Sequence, residues 1–144
     1  METKLRRIKR RGLGKPETFQ FLGFTFYCGE TLEGKYCVIP HTNSKRFAKS
    51  LREMNLWMKR NRNSPLKELM PNLNKKLAGY YRYYGVSYNV QTLVKYHYYV
   101  TNMLFKWLNR RSQKRSFTWE QFHMMLTYYP MVKPKRYVNL YGET

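Results

Sequence analysis

The spacing of apolar residues changes at Thr42, and this change limits the folds open to the chain. Before it, the stretch "TFQFLGFTFYC" alternates in steps of two and is apolar on both faces, which predicts one buried strand. A second short strand is predicted over residues 35–40, with Gly29 to Gly34 as the turn. Two strands alone do not form a stable sheet. We therefore expect this hairpin to be the edge of a larger sheet or to need the helices behind it.

After Thr42 the apolar residues recur every three or four positions, as they do on one face of an α-helix. The first helix is predicted to begin at Asn43 or Ser44 and a third at Asn89, because these side chains cap helix starts. Thr118 opens a short fourth helix with a capping-box pattern. The residues predicted to face the core of the first three helices are apolar: Phe47, Leu51, Met54, Met58, Leu66, Leu69, Met70, Leu73, Leu77, Leu93, Val100 and Leu104.

The second helix has its own start and stop signals. Ser64 is predicted to cap it and Pro65 to occupy its first turn, while Pro71 kinks or splits it and Gly85 ends it. The fold class is therefore α+β, mostly α, with a short N-terminal β-hairpin followed by a three- to four-helix bundle. Four segments are predicted: a basic arm (1–15), the hairpin (16–41), the bundle (42–110) and a basic extension with a short helix (111–144).

Positive charge dominates the composition. The 28 lysines and arginines against 8 glutamates give a net charge of +20, which predicts a polyanionic partner because like charges repel in a folded chain. Nucleic acid is the first expectation, ahead of an anionic membrane surface or a ribosomal setting. The basic residues predicted to bind it lie in four clusters: Arg6, Arg7, Lys9, Arg10 and Arg11; Arg46, Lys49 and Arg60; Lys75, Lys76 and Arg82; Arg110, Arg111, Lys114 and Arg115.

The tyrosine-rich stretch "AGYYRYYGVSYN" (residues 78–89) favours RNA over DNA, since unstacked bases lie on tyrosine or arginine planes. Helical spacing sends Tyr84 and either Tyr80 or Tyr81 into the core. It turns Arg82 and Tyr83 outward, and we predict that these two side chains contact RNA.

Catalytic chemistry finds little support in the sequence. It contains no aspartate, and converging carboxylates are needed to hold the Mg²⁺ ions of phosphoryl transfer. Cys28 and Cys37 could face each other across the hairpin and are expected to be reduced, structural residues, and the histidines show no metal spacing. We therefore expect no stand-alone polymerase or nuclease, no metal and no other cofactor. No apolar run has membrane-spanning length, so a cytoplasmic location is expected.

Four stretches together resemble the C-terminal part of bacterial group II intron-encoded reverse transcriptase/maturases, in the order of that family. They are "GKPETFQFLGFTFYCG", "LAGYYRYYGVSYN", "KWLNRRSQKRSFTWEQF" and "MVKPKRYVNLY". The resemblance identifies the hairpin with the last strands of the palm and residues 42–110 with the thumb, the maturase-specific X domain. Residues 111–144 resemble the short basic DNA-binding extension.

This resemblance implies binding to structured RNA, namely group II intron RNA, with assistance in splicing and retrohoming. It also implies contact with a DNA target or primer–template. Carried over by position, the motif residues are Gly79–Asn89 and Trp107–Arg115. Mg²⁺ belongs only to the full-length polymerase of the family.

The departures from the family restrict what is inherited. The Tyr-x-Asp-Asp turn has no counterpart, Gln20 stands where the family often has aspartate, and no HNH nuclease pattern follows the thumb. The chain is therefore expected to be a fragment of an RNA-directed DNA polymerase with no catalytic site of its own. Three alternatives remain: a thumb-containing subunit of a split reverse transcriptase whose palm and fingers lie on a separate chain, a nonspecific basic DNA-binding protein, and an inert relic.

Overall fold

An antiparallel sheet precedes a set of helices in the computed structural model, which describes residues 18–30, 36–111 and 116–137. The predicted class, α+β and mostly α, is confirmed. The elements follow in chain order: β1 (Thr18–Phe21), β2 (Phe24–Glu30), β3 (Tyr36–Thr42), α1 (Ser44–Asn61), α2 (Leu66–Tyr84), α3 (Val90–Leu108) and α4 (Trp119–Tyr128).

The first predicted strand is in fact two strands joined by a two-residue turn. The chain reverses at Leu22 (φ 53°) and Gly23 (φ 84°), and Phe21 pairs with Phe24 across the turn. Positive φ at both central residues gives the twist that two-residue hairpins require. The prediction of one strand was wrong because the turn keeps the two-residue alternation of apolar side chains. Leu-Gly also lacks the Asn or Asp that usually marks such a turn.

The three strands form one sheet in the order β1-β2-β3. The register of β2 and β3 places Cys28 opposite Val38 and Cys37 opposite Gly29. The two cysteines, which the sequence allowed to face each other, are therefore offset by one residue across the hairpin. Phe24 attaches the sheet to the bundle, since it is buried and its ring lies 5.0 Å from that of Tyr84. The helices behind the sheet thus provide the support that two strands lack.

The start of α1 confirms one predicted cap. Asn43 accepts hydrogen bonds from the backbone N–H groups of Lys45 (3.0 Å) and Arg46 (3.2 Å). Its own N–H donates to the carbonyl of Gly23 (2.8 Å), which ties α1 to the β1–β2 turn. Asn43 therefore connects the sheet with the first helix.

The start of α2 differs from the prediction. Pro65 is the N-cap residue and no side chain caps the helix, so the expected Ser64 cap is wrong. Pro71 lies inside α2, which runs on without a break to Tyr84. Pro71 is the sixth residue of α2 and has no N–H to donate to the carbonyl of Lys67, so the helix continues with one i→i−4 hydrogen bond fewer in its second turn.

One hydrophobic core joins all four helices and includes the predicted inner face of each long helix. Leu73, Leu77, Leu93 and Val100 are completely buried. Phe122 of α4 is also completely buried in this core. The described part of the predicted basic extension therefore packs on the bundle.

Residues 130–137, here called the C-terminal strap, run back along α2. The side chain of Asn74 donates to the carbonyl of Pro130 (2.8 Å) and accepts from the N–H of Val132 (2.9 Å). At the other end of the strap, the N–H of Tyr137 donates to the carbonyl of Gly85 (2.7 Å). A loop without secondary structure is thus held at one end by the side chain of Asn74 and at the other by a backbone hydrogen bond to Gly85.

Gly85 follows α2 as predicted, but for a different reason. Its φ is −80°, so it does not adopt the left-handed conformation that usually selects glycine at a helix end. A Cβ at this position would clash with the carbonyl oxygen of Tyr81 and would lie 2.8 Å from the carbonyl oxygen of Lys135 and 2.9 Å from a ring carbon of Tyr137. Glycine is required here because both the last turn of α2 and the strap occupy the space of a side chain.

Candidate nucleic-acid interface

The tyrosine-rich stretch at the end of α2 divides as the helical spacing predicts. Tyr81 is fully buried and Tyr84 nearly so, whereas Arg82 and Tyr83 are exposed. The hydroxyl of Tyr81 is hydrogen-bonded to Nδ1 of His97 (3.0 Å), and burial raises the pKa of Tyr81 above its ordinary value. Tyr80 is half-buried, with its ring stacked on that of Tyr96 at 3.8 Å. Most of this stretch is therefore scaffold.

Tyr83 has a role within the fold that the sequence did not indicate. Its hydroxyl donates to the carbonyl of Leu22 (2.5 Å), and its ring is stacked on Phe24 with centroids 6.0 Å apart. These contacts hold the β1–β2 turn against α2. Contact of Arg82 and Tyr83 with RNA stays a prediction. Tyr83 can contact RNA only through the part of its ring that is exposed.

A group of cations surrounds Trp107 at the C-terminal end of α3. The charged groups of Arg62, Lys106 and Arg110 lie 5.6, 4.7 and 5.7 Å from the Trp107 ring. The indole N–H donates to Oδ1 of Asn55 (2.8 Å), which fixes the ring between α1 and α3. We call Arg62, Lys106, Trp107 and Arg110 the Trp107 cluster. An aromatic ring orients several positive charges here, an arrangement that suits a phosphate backbone.

Arg111 lies beside this cluster but is bound to the protein. Its guanidinium donates to the carbonyls of Arg62 and Ser64, both at 2.6 Å, and thereby satisfies acceptors that follow the end of α1. Burial lowers the pKa of Arg111 below its usual value. Arg111 is therefore a structural link between the α1–α2 connection and α3, and only part of it is exposed.

A groove of about 330 Å³ runs between α1 and α2, and we call it the α1–α2 groove. Two predicted residues, Lys75 and Lys76, lie on its rim, and the Lys76 ammonium lies 5.3 Å from the ring of Trp57. The stacked pair Tyr80 and Tyr96 contributes aromatic surface. The full lining comes from three helices: Ser50, Glu53, Met54, Lys75, Lys76, Gly79, Tyr80 and Tyr96.

The other predicted residues do not converge on one place. Arg46 lines a separate cavity of about 220 Å³ at the β1–β2 turn. Lys49 makes a weak ion pair with Glu53 (3.9 Å), and Arg60 and Arg82 are exposed. Some predicted basic residues lie outside the described residues: Arg6, Arg7, Lys9, Arg10, Arg11, Lys114 and Arg115.

Sequence reasoning missed several residues of these surfaces. Arg62 joins the Trp107 cluster from the end of α1, and Glu53 lines the α1–α2 groove. Tyr98 is 64% exposed and Tyr99 46% exposed on α3. Only the two tyrosines carried a signal in the sequence, since they lie off the helix face of Tyr96 and Val100. The convergence of the others depends on how the helices pack.

Within the described residues, no group of three or more histidine, cysteine, aspartate or glutamate side chains could hold a metal ion. The helices of the described part of the chain are also too short or too polar to cross a membrane.

A family model described as "Group II intron, maturase-specific domain" matches residues 44–124, more than half of the chain. The match begins at the first residue of α1 and reaches into α4, so it contains the Trp107 cluster and the α1–α2 groove. No curated protein and no solved structure matches the chain. The predicted resemblance is confirmed for the maturase-specific domain, and the resemblances of the strands to the palm and of residues 111–144 to the basic extension stay predictions.

Proposed function

Because the chain belongs to the family of group II intron maturase-specific domains, we propose that it binds structured group II intron RNA and helps that RNA to reach its splicing-competent fold. The observation that carries the proposal is the family match over residues 44–124. The action proposed is binding by charge and stacking. It requires no reaction at a protein side chain, in keeping with a chain that contains no aspartate.

The electrostatics of the helices support an anionic partner. The acidic side chains described in the helices are Glu53, Glu68 and Glu120, against many lysines and arginines. The ion pair of Glu53 with Lys49 is long and both side chains are largely exposed, so it neutralises little charge. Most cations are therefore available to phosphate groups, whose neutralisation releases condensed counterions and favours binding at low salt.

Binding measurements over a salt series test this proposal with the full chain. We expect a group II intron transcript to bind more tightly than an unrelated structured RNA of equal length, with log K falling linearly with log[salt]. We also expect the chain to increase the splicing rate of that transcript at low Mg²⁺. Equal affinity for every RNA, lost at moderate salt, would indicate the inert relic, and a preference for duplex DNA would indicate a DNA-binding protein.

A second candidate function is that of a thumb-containing subunit of a split reverse transcriptase. An apolar cavity of about 270 Å³ lies between the sheet and the end of α2, and Leu22 on its edge is 64% exposed. Exposed apolar surface of this kind suits contact with another protein chain. Co-purification of a chain that carries the Tyr-x-Asp-Asp motif, with primer extension on an RNA template, would favour this function. A chain that purifies alone while binding intron RNA would reject it.

A further inference from the structure

Gly79 leaves the α1–α2 groove open without any structural need for glycine. A Cβ at this position would meet nothing within 4 Å, and its φ is not in the left-handed region. Glycine within a helix is unfavourable relative to alanine. At Gly85 the same residue type is explained by the close approach of the Tyr81 carbonyl and of the strap, but no contact within the protein explains Gly79. Its effect is to keep one wall of the groove free for something else to approach closely.

The groove combines two kinds of surface. Its interior is formed by Met54 and by Tyr80, whose ring is stacked on Tyr96 with an interplanar angle of 10°. Its rim carries the exposed ammonium groups of Lys75 and Lys76. Its volume of about 330 Å³ lies at the small end of the range for ligand sites. A ligand that fits this arrangement has a flat apolar ring for the interior and, joined to it by a short linker, an anionic group for the rim.

A nucleotide has this composition, and we propose that the α1–α2 groove binds one unpaired nucleotide of the RNA. The base lies beside Gly79 and packs against Met54 and Tyr80, and the phosphate of the nucleotide contacts Lys75 and Lys76. This inference rests on the proposed RNA-binding function and adds a particular site to it. Recognition of single-stranded loops commonly uses bases that leave the stack and pack on aromatic side chains.

Glu53 gives this site a preference among bases. An acidic side chain in a phosphate-binding groove weakens binding unless it accepts a hydrogen bond from the ligand. The long ion pair with Lys49 (3.9 Å) leaves its carboxylate free to accept from an exocyclic amino group. The site therefore favours bases that carry an amino group, such as adenine or cytosine, over uracil.

Gly79→Gln tests the groove, with Asn72→Gln as a matched control. Both variants introduce the same neutral, helix-favouring side chain at an exposed position of α2, but Asn72 does not line the groove. We expect Gly79→Gln to weaken binding of the intron transcript by about 5- to 100-fold, the loss of one stacked base. Asn72→Gln should bind as the unmodified chain does, and thermal unfolding should show that both variants are folded.

A second pair of variants tests the phosphate contact. Replacing Lys75 and Lys76 by glutamine should lower affinity more than replacing the exposed Lys59 and Lys67, although both changes remove two charges. Glu53→Gln should strengthen binding of uracil-only RNA but not of adenine- and cytosine-rich RNA of equal length.

The outcomes separate this site from the proposed function. If the unmodified chain binds intron RNA and Gly79→Gln binds equally well, the nucleotide site is overturned and the function stands. If Glu53→Gln strengthens binding of every RNA alike, Glu53 does not discriminate between bases, and that part of the inference is overturned. If the unmodified chain binds no RNA, the function and the site fall together.

Discussion

The amide side chain of Asn89 connects three elements. Its Oδ1 accepts a hydrogen bond from the N–H of Thr42 (2.9 Å) at the end of β3. Its Nδ2 donates to Oγ1 of Thr42 (2.8 Å) and to the carbonyl of Tyr84 (2.8 Å) at the end of α2. Asn89 is completely buried and stands at the N-cap position of α3 without a capping hydrogen bond. One side chain therefore fixes how the sheet, α2 and α3 meet.

Asn89→Ala is expected to destabilise the fold by about 2–5 kcal/mol, because it leaves the N–H of Thr42 and the carbonyl of Tyr84 buried without these partners. Urea unfolding followed by circular dichroism measures this change. Asn72→Ala, on the exposed face of α2, is the matched control and should change stability little. A change below about 1 kcal/mol for Asn89→Ala would mean that the network contributes little.

The sequence predicted where Asn89 lies but not what it does. Asparagine before an apolar run indicates a helix start, and α3 does begin at the next residue. Its partner Thr42 is 47 residues away, and no local pattern encodes such a contact. The same limit applies to the candidate interface. Lys75, Lys76 and Arg110 were found as basic residues, but the approach of Arg62 to Trp107 results from the packing of α1 on α3.

The long helices follow the apolar pattern closely, whereas the sheet does not. In α2 the inner face from Leu69 to Tyr84 is buried as the spacing predicts. Helical spacing repeats over many residues and survives one irregularity such as Pro71. The β1–β2 turn depends on two residues with positive φ, Leu22 and Gly23, and their carbonyls accept hydrogen bonds from Tyr83 and Asn43, which lie further along the chain. The alternation of apolar residues over the eleven-residue stretch "TFQFLGFTFYC" cannot reveal such a chain reversal.

Leu77→Ala tests the inner face of α2. Leu77 is completely buried in the core, so its truncation should lower the free energy of unfolding by about 2–5 kcal/mol. Chemical denaturation measures the loss, and Lys75→Ala on the exposed side of the same helix serves as a control with little expected change. A loss near zero for Leu77→Ala would contradict the burial of this face of α2 in the core.

The C-terminal strap gives α3 a pH-dependent contact. His97 is hydrogen-bonded to the hydroxyl of Tyr81 (3.0 Å). Burial and, to a smaller extent, the charge of Lys133 on the strap lower the pKa of His97 below 6.5, against a hydrogen bond with the Val132 backbone that raises it. The folded state therefore favours neutral His97, and the unfolded chain binds a proton first as the pH falls.

Stability should accordingly be highest above pH 6.5 and decrease as the pH falls below that value toward the folded pKa of His97. His41, whose pKa burial also lowers, adds to the same trend. Urea unfolding at a series of pH values measures it. His97→Gln should reduce the pH dependence between pH 7 and pH 5. An unaltered pH profile for His97→Gln would show that its protonation is not linked to folding.

Taken as a whole, the described molecule is one core covered by positive charge. The core extends from Phe24 of the sheet through the four helices to Met131 of the strap. The cationic side chains fall into two groups. Some are hydrogen-bonded within the protein, and others are exposed and available to a partner. Arg110 and Arg111 are neighbours in sequence but belong to different groups. Arg110 is exposed over the Trp107 ring, whereas Arg111 is bonded to two backbone carbonyls.

This difference predicts different results for two substitutions that each remove one positive charge. Arg110→Gln should weaken RNA binding and reduce the slope of log K against log[salt] by about 1, with little change in stability. Arg111→Gln should destabilise the fold by about 1–3 kcal/mol, because the carbonyls of Arg62 and Ser64 lose a charged donor. Its salt slope should change less than that of Arg110→Gln, since its charge is already engaged. Salt-dependent binding and urea unfolding of both variants provide the two readouts. If Arg111→Gln reduced the salt slope fully and left stability intact, the guanidinium would be available to RNA and its hydrogen bonds would contribute nothing to the fold.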